Sequence, residues 1–148
     1  MFAPLLGGGP TRGCTWHVWC LNPGVATILI VDDDPDYVRL VCRWLQGAGH
    51  GVEALEIPFG ISARLLADPP VDVVILDFMM PALTGTAVLQ LLGSHARLRD
   101  IPVLFMSSVP HPSLVEAARL HGRALFLQKS GRRTDLLDAV EELQAPLR

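Results

Sequence analysis

The sequence predicts a doubly wound α/β fold: a parallel sheet of five strands with helices on both faces. Three observations predict it. Short apolar runs recur along the chain, among them TILIV at 27–31, VDVVILD at 71–77 and IPVLFMS at 101–107. They are nearly continuous rather than alternating, as strands covered on both faces are. Helically spaced apolar residues follow each run, so strand and helix alternate, and that alternation implies parallel strands joined by crossover helices.

The regular pattern starts at Thr27 with the first strand. Asp34 then suits a helix N-cap and Pro35 the first helical turn. Val38, Val41, Cys42 and Leu45 lie on one helical stripe, with Arg39, Arg43 and Gln46 opposite. GAGH, with two glycines, stops this helix. A short strand over 51–55 and a short helix over 60–67 follow. The run at 71–77 is a second buried strand and ends in a carboxylate. A helix over 85–93 carries Val88, Leu89 and Leu92. The run at 101–107 is again a strand, followed by a helix over 112–121 and a strand, RALFLQK, over 123–129. The last helix, 132–144, buries Leu136, Val140 and Leu143. No segment repeats.

Composition bounds the function. The chain has 148 residues, half of them apolar, with a mean hydropathy of +0.37, which suits one domain with a substantial core. The net charge is −3 and no basic stripe stands out, so nucleic acid is not the expected partner. Three cysteines make no disulfide framework, which points to a reducing, cytoplasmic setting. No run reaches the ~18 apolar residues of a membrane helix, and the N-terminus lacks the features of a signal peptide. Residues 1–24 are rich in Gly and Pro without a clear period, and read as a poorly ordered or loosely packed tail before a domain over 25–148. Cys14 and Cys20 with His17 fit no standard zinc spacing and lack a fourth ligand. Packing of Trp16 and Trp19 on the domain is the better reading.

In open parallel sheets the ligand sits outside the carboxyl ends of the strands. The polar residues there are Asp32, Asp33, Asp77, Ser107 and Lys129. Converging carboxylates repel unless a cation holds them, and hard oxygen ligands favour Mg²⁺. Lys129 adds a fixed positive charge and Ser107 a hydroxyl. Together with a metal they suit a phosphoryl group arriving at Asp77, since a carboxylate can itself be the nucleophile. Taken singly, each residue has a plainer explanation. An acidic cluster before a helix often only complements the helix dipole, as Asp34 does here by capping, and a lone Asp at a strand end is often a solvated loop residue. The conjunction is what points to a site.

These residues resemble the receiver domain of bacterial two-component response regulators. VDDDP resembles its acidic pair. DFMMPALTG, 77–85, matches the D-x-x-M-P-x-x-x-G pattern around the phosphorylated Asp. PVLFMSS resembles the fourth strand with its switch Ser or Thr. LFLQK resembles the fifth, with a switch aromatic three residues before the lysine. The intervals from Asp33 to Asp77, Ser107 and Lys129 agree as well.

The resemblance covers about residues 26–145 and implies a flavodoxin-like strand order, 2-1-3-4-5. It implies that Asp77 accepts a phosphoryl group from a phosphohistidine on a sensor histidine kinase or phosphotransfer protein. Asp33 and Asp77 would ligate Mg²⁺, with Asp32 acting through water and the Met79 backbone carbonyl as a further ligand. Ser107 would move to the phosphoryl oxygen, Phe126 would swing in behind it, and Lys129 would pair with the phosphate. Gly85 would give backbone freedom to the loop after Pro81. Phe126 stands where Tyr is also common. Ser130 follows Lys129 where the family has a proline after a cis bond, and the expectation is that the bond stays cis.

Three classes compete. The first is a signalling switch rather than an enzyme acting on other molecules. It would pass its state to a downstream protein, or relay phosphate, on the expectation that the chain, ending at Arg148, stops too soon for a DNA-binding output domain. The alternative is one domain cut from a longer regulator. The second is a degenerate receiver that binds protein without phosphorylation, disfavoured because all the site residues are present. The third is a hydrolase using the same Asp, disfavoured because its nucleophile would follow the first strand. The face over 112–144 is expected to change on phosphorylation and is a candidate for a homodimer contact. Met79 and Val109, both apolar, offer no group to orient a hydrolytic water, so slow loss of phosphate is expected.

Overall fold

The computed structural model describes residues 24–56, 60–81, 83–129 and 131–146. The expectations for residues 1–23, with their two cysteines, and for the Lys129–Ser130 bond lie outside the described residues.

Strands and helices alternate as β1 (Thr27–Val31), α1 (Pro35–Gly47), β2 (Gly51–Leu55), α2 (Ile61–Leu66), β3 (Val73–Asp77), α3 (Gly85–Ser94), β4 (Val103–Ser107), α4 (Pro112–His121), β5 (Ala124–Gln128) and α5 (Arg133–Gln144). The strands form one parallel sheet, as their alternation with helices predicts, in the order β2-β1-β3-β4-β5 that the resemblance implies. β3 and β4 begin slightly inside their apolar runs. Pro102 has no N–H for the ladder, and Asp72 bonds Thr27 through its carboxylate as well as its backbone.

Alternate strand residues feed two separate cores. Leu29, Val31, Val74, Leu76, Val103 and Phe105 face α2, α3 and α4. Ile28, Ile30, Val73, Ile75, Leu104 and Met106 face α1 and α5. The three inner strands are thus buried on both sides, which is why their sequences are almost continuously apolar. β5 is an edge strand and only partly covered.

The ends of α1 follow local chemistry. Asp34 Oδ1 accepts from the N–H groups of Asp36 (3.0 Å) and Tyr37 (3.2 Å), with Pro35 opening the helix. At the other end Gly49 is left-handed (φ +94°). Its N–H bonds the Gln46 carbonyl, and the N–H of His50 bonds that of Leu45, a Schellman closure. Arg123 donates to the Leu143 and Ala145 carbonyls at the end of α5. A fork from Arg64 to Glu53 ties α2 to β2.

Gly85 departs from expectation. It has no left-handed φ and lies in the first turn of α3. What requires glycine is space: a Cβ there would stand 2.5 Å from Cδ2 of Phe78. The ring of Phe78, which follows Asp77, packs on that bare backbone and meets Phe105 edge-on at 5.9 Å.

Candidate functional site

The strand order places β3 in the middle, with β1 on one side and β4 then β5 on the other. Asp77 ends β3, Asp32 and Asp33 follow β1, Ser107 ends β4 and Lys129 follows β5. Register brings these ends level: Val31 pairs with Leu76, Asp77 with Met106 and Ser107 with Gln128. The Lys129 N–H donates to the Ser107 carbonyl at 2.9 Å, which fixes the root of its side chain.

Lys129 spans the end of β4 to reach two carboxylates. Its Nζ lies 2.7 Å from Asp32 Oδ2 and 3.1 Å from Asp77 Oδ2. The other oxygens are held by backbone: Asp32 Oδ1 accepts from the N–H of Asp34 (2.9 Å) and Asp77 Oδ1 from that of Met79 (3.0 Å). Asp32 and Asp77 are buried, while Asp33 is exposed. Carboxylate oxygens of all three lie within 4.8 Å of one another.

Burial pushes the Asp32 carboxyl up, and the charge of Asp77 adds to this. Hydrogen bonds from Lys129 and the Asp34 N–H oppose the rise without cancelling it. Burial would lower the Lys129 ammonium, but its bonds to Asp32 and Asp77 outweigh that and raise it. Lys129 therefore stays charged, and three carboxylates face a single ammonium.

That donor set fits a hard divalent cation: three oxygen ligands, more carboxylates than cations, and one member exposed to solvent. Asp32, Asp33 and Asp77 are the side chains that would hold it.

Ser107 and Phe126 are near the site but not engaged with it. The buried Ser107 hydroxyl donates to the Val109 carbonyl at 2.8 Å and accepts from the Val109 N–H at 3.3 Å. Phe126 pairs in register with Phe105 on the α4 side and is exposed. Met79 (60 % exposed) and Val109 (66 %) point outward rather than into the core.

Sequence reasoning missed Tyr37. Its ring lies 4.8 Å from Lys129 Nζ, and its hydroxyl donates to Met106 Sδ at 3.5 Å. Burial, then the charges of Asp32 and Asp77, push its phenol up. The available signal was its place in the first helical turn after the acidic residues.

The response regulator receiver domain family model matches residues 28–141, and the chain belongs to that family. A probable cyclic di-GMP phosphodiesterase of Vibrio cholerae is 35 % identical over 121 residues, covering 69 % of this chain and 26 % of that protein. The two-component response regulator ORR3 of Oryza sativa subsp. indica is 29 % identical over 109 residues, covering 74 % of this chain and 83 % of that protein. The chain spans about a quarter or less of the first curated relatives it matches, at 26 %, 22 % and 17 % of their lengths. Among solved structures, the chemotaxis protein CheY4 of Vibrio cholerae superposes with a TM-score of 0.73 at 24 % identity, covering 81 % of this chain and 99 % of that one. That likeness is one of fold. Among the described residues no helix is long and apolar enough to cross a membrane.

Proposed function

We propose that this receiver domain takes a phosphoryl group on Asp77 from a phosphohistidine of a histidine kinase or phosphotransfer protein, and signals the change through Ser107 and Phe126. The observation that carries this is the Lys129 ammonium shared between Asp32 and Asp77, with Asp33 closing the cluster. The step is a displacement at phosphorus. An Asp77 oxygen forms the new P–O bond, the donor's N–P bond breaks, and the leaving imidazole takes up a proton. Asp33 and Asp77, with Asp32 and the Met79 backbone carbonyl, would hold Mg²⁺, which would neutralise charge on the phosphoryl oxygens.

Lys129 meets the incoming anion with its fixed charge, and to do so it must give up part of its hold on Asp77. Ser107 exchanges its bond to Val109 for one to the phosphoryl oxygen, and Phe126 moves into the space behind. The face of α4, β5 and α5 then differs between the two states, and it is where a downstream protein or a second copy would read them.

Calorimetric titration of Mg²⁺ with beryllofluoride, a phosphoryl mimic, tests this. Wild type should bind the two cooperatively, and Asp77→Asn should bind the mimic at least about tenfold more weakly. Equal binding by both proteins would sink the assignment.

A further inference from the structure

We propose that Tyr37 is a positioning residue for the phosphoryl-transfer reaction: its ring forms a wall that holds the Lys129 ammonium over Asp32 and Asp77. The inference rests on the proposed function for its consequence in rate, but the contact itself is independent of it.

A lysine side chain is long and loses considerable rotamer entropy when fixed. Lys129 comes from an edge strand and must cross the end of β4 to reach β3 and β1. Two carboxylates attract it, yet a compact ammonium can satisfy such a pair from many positions. The Tyr37 ring removes that freedom. Its centroid is 4.8 Å from Nζ, well inside the ~6 Å range of a cation–π contact. The side chain of Lys129 is only 12 % exposed, so little water competes for the ammonium.

The wall is itself anchored at both ends. Its backbone N–H is bonded by the Asp34 carboxylate in the first turn of α1. Its hydroxyl donates to the thioether of Met106, a buried β4 residue on the α1–α5 side of the sheet. The side chain therefore links the end of β4 to the lysine after β5, while the backbone of the same residue is held by the turn after β1. Ring and hydroxyl have separable roles: the ring holds the ammonium, and the hydroxyl only holds the ring.

The experiment compares wild type, Tyr37→Phe and Tyr37→Leu in the full chain. Tyr37 is the single tyrosine, so selective ring labelling gives one set of NMR signals. Wild type should show a ring-to-ε-methylene cross-peak with Lys129 and an upfield-shifted ε-methylene. Tyr37→Phe should keep the shift, and Tyr37→Leu should lose it. With acetyl phosphate as donor, Tyr37→Leu should be phosphorylated about 2- to 30-fold more slowly at saturating Mg²⁺, with Mg²⁺ affinity unchanged, and Tyr37→Phe, which keeps the ring but loses its bond to Met106, should fall between Tyr37→Leu and wild type.

An unshifted ε-methylene in wild type overturns the proposal, and this holds even if Tyr37→Leu fails to fold. So does a Tyr37→Leu protein that loses thermal stability yet keeps the wild-type rate, because the role is then only structural. If wild type accepts no phosphoryl group, the proposed function falls, and the NMR arm alone decides the contact.

Discussion

The two faces of the sheet end differently at the site. On the α1–α5 face, Tyr37 is tied to Asp34 and Met106 and lies against Lys129. On the α2–α4 face, the Ser107 hydroxyl bonds within its own loop, to Val109, and Phe126 is 37 % exposed. At the site, the Tyr37 side chain is bonded across to another strand, whereas the Ser107 hydroxyl is bonded within its own loop. The proposed switching would use both: a fixed side that holds the charges in place, and a side whose contacts can be exchanged at small cost. The bond from Ser107 to Val109 can be traded for another hydroxyl bond with little net change, whereas moving the Tyr37 ring would break its contacts with both Met106 and Lys129.

Removing the cation that the fixed face holds has the largest expected effect. Lys129→Met leaves the buried carboxylates of Asp32 and Asp77 without a counter-charge. Losing one partner of a buried ion pair costs about 3–5 kcal/mol. Urea unfolding without divalent cations should show a loss of that order, with partial recovery in Mg²⁺ if the same carboxylates hold the metal. A loss below about 1 kcal/mol, the scale of exposed pairs, would mean that the fixed face does not depend on its lysine.

A smaller effect separates the two faces directly. When Mg²⁺ and beryllofluoride are added, amide exchange should change across 105–115 and 124–128, while the first turn of α1 changes least. Equal changes in α1 and α4 would erase the distinction, and changes confined to the neighbourhood of Asp77 would show that nothing is transmitted.

The smallest effect concerns the far end of the α1 face. His50 is buried, and its Nδ1 accepts from the Ala26 N–H at 3.1 Å, so the ring is held neutral. Burial lowers its pKa below the ordinary 6.5. The unfolded chain then takes up the proton first, so the contribution of His50 is complete above pH 6.5 and falls away as the pH drops below it. The slope from this residue approaches ~1.4 kcal/mol per pH unit at most. Wild type should lose stability faster than His50→Gln between pH 6.5 and 5, measured by urea unfolding at each pH. Parallel profiles would remove His50 as the cause.

Element types and the list of strand-end residues were legible in the chain because both depend on local pattern. Continuous apolar runs mark strands covered on two sides. Asp34–Pro35 marks a helix start, and the residue after each run is placed at the carboxyl edge by topology alone. Asp32, Asp33, Asp77, Ser107 and Lys129 followed from that rule, and the structure brings the three carboxylates and the ammonium together. Gly85 was assigned to a turn because glycine's backbone freedom is a local property. Its actual task, leaving room for the Phe78 ring, depends on how a loop folds back on its own helix.

By itself, then, the sequence determined the alternating architecture, the identity of the charged residues at one edge, and through its motifs the family. Only the tertiary structure decided how the charges are shared and what steadies them. The lysine lies nearer Asp32 than Asp77, its ammonium rests on Tyr37, and Tyr37 is fixed by a methionine 69 residues away. The reason is range. Periodicity records which way a side chain points relative to its own strand or helix, but contacts between residues on different elements are set by register and packing, which no local pattern carries.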